Sequence, residues 1–162
     1  MQPGPILARR TLECTVYSVD MSVILAVLHV VSSIFIVGPM AILPMIGLRA
    51  LRSRQPTQVA ALAKLVTMFT LLSLVVVFFG FGALGRGYSL ASTWIWLSLV
   101  LYVIAVALDL FMVVPALQSA AQSLEAGTAD GGRSAGYSRI SAGSGTVALL
   151  LVAIAVLMVW KP

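Results

Sequence analysis

Residues 60–83 read AALAKLVTMFTLLSLVVVFFGFGA, and from residue 65 to residue 83 no side chain ionises in the physiological range. A run of this length matches the roughly 20 apolar residues that carry a helix across a hydrocarbon core about 30 Å thick. The reading extends outward in both directions. Comparable runs occupy about 22–47, 92–117 and 141–160, so the chain is expected to be an all-α membrane protein: a four-transmembrane-helix bundle, antiparallel and up-down. Residues 21–162 then form one transmembrane domain, preceded by an extension over 1–20. That extension is mixed and polar, without a secretory apolar core. The apolar sequence begins at Met21, which makes Met21 an alternative start of translation.

Composition agrees. The 162 residues are 60% hydrophobic and only 9% charged, against about 25% charged in a soluble domain. So few charges cannot coat a water-facing surface, and lipid is the expected environment. The net charge of +5 does not point to nucleic acid, because the basic residues lie in connections between apolar runs. The single cysteine, Cys14, excludes an internal disulfide and a cysteine-cluster metal site. No internal repeat is evident.

With four spans, the first and third connections share one side of the membrane. They carry Arg49, Arg52, Arg54, Lys64, Arg133 and Arg139, whereas Arg9, Arg10, Arg86 and Lys161 fall on the other. The positive-inside rule then places both termini outside the cytoplasm, here of a bacterial inner membrane. Tyr88, Trp94, Trp96 and Trp160 gather at the expected outer interface, where amphipathic rings settle. Gly38, Pro39 and Pro44 predict a bend in the first span, since proline removes a backbone donor.

An ionisable side chain inside a bilayer marks a functional site by default. His29 lies on a face with Ser22, Ala26, Ser33 and Met40, about 12 Å from the outer end at 1.5 Å per residue. Either it ligates a metal or haem b, or it is hydrogen-bonded to a neighbouring helix, with Ser98 or Tyr102 at similar depth. Two-histidine haem ligation within one chain is excluded, because His29 is the only histidine. Asp109 shares a stripe with Ser98, Tyr102, Ala105 and Met112. It is expected well below His29, either handling protons or cations, or paired with Lys64, whose long stem can reach along the second span, or present as a protonated carboxyl hydrogen-bonded to a neighbour. Gly80, Gly82 and Gly85 spell G-x-G-x-x-G, but no strand precedes them, so close helix packing is expected rather than a dinucleotide site. Thr67, Thr70 and Ser73 read as packing positions and interhelix donors. The methionines are spread through the chain and read as core filler. No Ser–His–acid set, paired catalytic carboxylates or phosphate-binding loop is present.

The stretch LHVVSSIFIVGPMAILP (28–44), the arginine-rich first connection and the ending LMVWKP (157–162) resemble a group of bacterial four-span membrane proteins. The group includes a predicted integral membrane family of unknown function and looks akin to the copper-resistance protein CopD and the haem-associated HemJ. The resemblance covers the chain from about Met21 onward. It implies the fold, and it aligns His29 with a haem-ligating position of HemJ-like members. The membrane-embedded lysine of those members has no counterpart here, nor have the richer copper ligands of CopD, so neither activity transfers. Three functions are expected in order: a non-catalytic accessory or interaction subunit with membrane-protein partners or in a homo-oligomer, a haem- or metal-binding redox protein using His29, and a small transporter or proton pathway using Asp109 and Tyr102.

Overall fold

The computed structural model describes residues 21–84, 92–128 and 135–160. The extension at 1–20, Tyr88, Gly85, Arg133 and Lys161 lie outside the described residues. Four long helices make up the rest: α1 (Met21–Arg52), α2 (Pro56–Ala83), α3 (Thr93–Glu125) and α4 (Ala135–Trp160). All four are long and apolar enough to cross a membrane, and they alternate in direction. The expected four-helix antiparallel bundle is therefore the fold.

Neighbours in sequence are neighbours in space, and α4 closes back on the lower half of α1. The core lies along the faces this ring encloses. One cluster joins Leu51, Val59, Ala63, Val66, Val113, Val114, Leu117 and Ile140 near the short α1–α2 turn. A second joins Met40, Ala105, Val147 and Leu151 in mid-bundle. Small residues fill the closest approaches, as membrane helices require where lipid offers no hydrophobic drive. A Cβ on Gly47 would lie 2.9 Å from a Leu117 methyl, and one on Gly143 would lie 2.8 Å from Val113. The outward faces are large and apolar: Phe35, Phe78, Phe111 and Leu149 are all more than 70% exposed, which suits lipid rather than water.

Two helices run further than hydropathy indicates. α1 continues through Arg52, and α3 continues to Glu125. The extra turns of α3 are amphipathic, burying Val114, Leu117, Ala120 and Ala121 while Gln118 and Gln122 stay exposed. Hydropathy finds the apolar span, not the helix that carries on past it.

Both α1 and α3 widen to π-helix, over Ser33–Val37 and Asp109–Val113. Each widened stretch sits just before a proline, Pro39 or Pro115. Proline cannot donate to the carbonyl four residues back and collides with it, and local widening relieves that conflict. The bend expected from Pro39 thus takes the form of a π turn. The two stretches, SIFIVGP (33–39) and DLFMVVP (109–115), share a Phe at the third position and a Pro at the seventh.

Candidate functional site

The polar groups of the bundle converge on one face of α2. That helix buries Val59, Ala63, Val66, Thr70, Ser73 and Val76, spaced by three and four residues. Thr70, Ser73, Val76 and Gly80 continue the stripe outward over about 15 Å. They meet, in order, Asp109 and Tyr102 of α3 and His29 of α1.

Asp109 is completely buried. The Thr70 hydroxyl donates to its Oδ2 at 3.2 Å, while Oδ1 is buried with no hydrogen-bond partner among the described residues. Asp109 is also the first residue of its π segment, a backbone irregularity frequent at functional sites. Lys64, the expected partner, does not reach it. Lys64 is exposed. It follows Ala63 of the buried stripe by one position, about 100° around the helix, so it faces away. The ion pair expected from depth alone is replaced by a hydroxyl donor from the correct face.

About one turn further along α2, Tyr102 Oη lies 2.7 Å from Ser73 Oγ, and Ser73 Oγ lies 2.6 Å from the Thr70 carbonyl. The carbonyl only accepts, so the single Ser73 proton goes there and Tyr102 donates to Ser73. Ser98, also expected on this stripe, is buried but donates back to the Trp94 carbonyl of its own helix at 2.8 Å.

His29 is half-buried and meets α2 rather than α3. Its Nδ1 lies 2.8 Å from the Val76 carbonyl. Because that oxygen only accepts, Nδ1 carries the proton and Nε2 carries the lone pair of the neutral ring. The expected partners Ser98 and Tyr102 are engaged elsewhere. Gly80 makes room for the ring: a Cβ there would lie 2.9 Å from Cε1 and 3.1 Å from Nδ1. Gly82 does the same for Leu25. Gly80 and Gly82 are therefore packing glycines. Ser32 and Ser33 both donate to the His29 carbonyl, at 3.1 and 2.6 Å, where the π segment begins.

The site is thus a column of three polar pairs, Thr70–Asp109, Ser73–Tyr102 and Val76–His29, the first two joined through Ser73 and the Thr70 carbonyl. Thr70 and Ser73 were legible as donors; the Val76 carbonyl, a backbone group, leaves no mark in a sequence. Among the described residues no three His, Cys, Asp or Glu side chains gather as a metal cage.

A four-helix polytopic bundle with a buried polar column defines an integral membrane protein. The family model described as "Predicted integral membrane protein (DUF2269)" matches residues 23–162, and the chain belongs to that family. No curated protein and no solved structure matches it.

Proposed function

We propose that this protein handles protons within the membrane, with Asp109 as the group that takes up and releases them. The observation that carries this reading is the orphaned Oδ1 of a fully buried carboxylate in mid-span. A buried polar atom without a partner is rare in native proteins and calls for a reason, and inside a bilayer the default reason is a proton or ion pathway. A proton needs one oxygen. A metal cation needs a ring of them, and Asp109 with Thr70 offers too few. Four helices give little frame for alternating access, so the working unit is a homo-oligomer or a larger membrane assembly. The membrane is a bacterial inner membrane, with the Arg49–Arg54 rim towards the cytoplasm.

The test is proton flux in liposomes containing purified protein, driven by a potassium diffusion potential and read with an entrapped pH dye. Asp109→Asn is expected to remove the protein-dependent flux, while Lys64→Gln, remote from the column, leaves it intact. Equal flux in the parent and Asp109→Asn would sink the reading.

A second reading rests on His29. With Nδ1–H fixed on a carbonyl, Nε2 is presented as ligating histidines are, oriented by a partner on the other nitrogen. As an axial ligand of haem b, His29 would need its second ligand from a methionine, a solvent molecule or another subunit. Such a preparation shows a Soret band that His29→Ala abolishes; a colourless preparation from haem-replete cells removes this reading.

A further inference from the structure

We infer that the rim around the α1–α2 turn holds the headgroup of an anionic, phosphate-bearing lipid. Arg49, Arg52, Arg54, Lys64 and Arg139 are exposed there, and the only acid of that rim among the described residues is Glu125. Three further observations make this more than an excess of charge.

The first is the turn itself. Gln55 N–H donates to Ala50 O at 3.3 Å and Arg54 N–H to Leu51 O at 3.1 Å, a Schellman cap with Arg54 in the left-handed position at φ 52°. The equivalent cap of α3 pairs Thr128 with Ser123 and Gly127 with Leu124, and it places Gly127 in that position at φ 68°. Glycine adopts this conformation freely, whereas a side chain opposes it. The α1 cap therefore keeps an arginine where the α3 cap of the same chain uses glycine. Backbone strain of this kind points to a role for the side chain.

The second is a lipid-shaped track. Ile42, Met45, Arg49 and Arg52, spaced by three and four, form one exposed face of α1. Two apolar residues suited to an acyl chain lead directly to two guanidinium groups at headgroup level. Arg49 and Arg52 are like charges one turn apart, an arrangement that an intervening anion relieves.

The third is preorganisation. Arg52 donates to the Tyr137 hydroxyl of α4, and its guanidinium lies 5.1 Å from that ring's centroid. Tyr137 thus fixes the planar fork across the α1–α4 seam, leaving its other N–H groups to bind phosphate oxygens in pairs. The rigid part of the cost is met before the lipid arrives.

The experiment titrates the purified full-length protein, in a neutral maltoside detergent, with phosphatidylglycerol or phosphatidylcholine. Bound lipid is counted by native mass spectrometry, alongside the melting midpoint. Phosphatidylglycerol is expected to bind several-fold tighter than phosphatidylcholine. Arg49→Gln and Arg52→Gln are each expected to weaken it about fivefold, the weight of one cation at an anionic surface. Arg54→Gly separates binding from folding: it relaxes the turn, so it melts higher without lipid yet binds phosphatidylglycerol about fivefold more weakly. Equal binding of the two lipids overturns the inference, as does unchanged phosphatidylglycerol binding in all three variants. Full competition by inorganic phosphate at matched concentration overturns the lipid as occupant.

Discussion

Gly80 and His29 form a lock in which each residue explains the other. The imidazole can reach the Val76 carbonyl only because position 80 carries no Cβ, and its Nδ1–H bond then holds the ring against that glycine. Gly80→Ala is expected to push the ring off its acceptor and to lower stability by about 1–2 kcal/mol, the usual scale for overpacking a fitted contact. In a His29→Ala background the added methyl meets open space and the cost should vanish. Melting midpoints of the four proteins of this cycle decide the matter; strictly additive effects would mean the two residues do not touch. At this scale the sequence singled out two residues and concealed whom they meet. His29 and Asp109 stand out because ionisable groups are rare in apolar runs. Their partners are a main-chain carbonyl and a threonine among many small polar residues. Lys64 attracted the pairing with Asp109 because depth can be counted along a helix, whereas azimuth depends on which face its neighbours cover.

The helices themselves were the most legible layer, because a bilayer dictates the length of an apolar run. Their overhangs and irregularities were not. The lower turns of α3 carry too many polar residues to register as a span, yet they pack one apolar side into the larger core. The π segments follow from Pro39 and Pro115, but proline alone announces only a disturbance, and Pro44 lies buried in regular α-helix. Pro115 has a consequence for the site. Its widened turn inserts an extra residue between the well-packed lower part of α3 and Asp109. Pro115→Ala permits an ordinary α-turn, which would rotate Asp109 by about 100° relative to that anchored segment. In the parent, Thr70→Val strips Asp109 of its only side-chain donor among the described residues and is expected to cost about 1–3 kcal/mol. In Pro115→Ala the same replacement should cost under half as much, because the carboxylate has already turned from α2. Unfolding by graded addition of a denaturing detergent measures both differences; an undiminished Thr70→Val cost means that the π turn does not set the register of Asp109.

The whole molecule is a ring of four helices, and its orientation in the membrane depends on its two rims rather than its core. α1 and α3 share a proline-linked π turn, but their C-terminal caps differ, with Arg54 in one and Gly127 in the other. That difference, together with Arg49, Arg52, Lys64 and Arg139, makes one rim strongly basic. Four crossings return Trp160 to the side of Met21 and leave Ser53 on the opposite, basic side. Charge retention of short basic connections then predicts Ser53 in the cytoplasm and Trp160 outside. In a Cys14→Ser background, Trp160→Cys is expected to react with a membrane-impermeant thiol reagent on intact cells, and Ser53→Cys only after the cells are opened. Replacing Arg49, Arg52 and Arg54 by Gln leaves that rim with Lys64 and Arg139 among the described cations. The opposite sides then differ little in charge, and the population should divide between two orientations, with both cysteines partly labelled from outside. Labelling of Ser53→Cys in intact cells bearing all three arginines would show that the basic rim faces outward, and with it that the charge asymmetry does not orient this bundle.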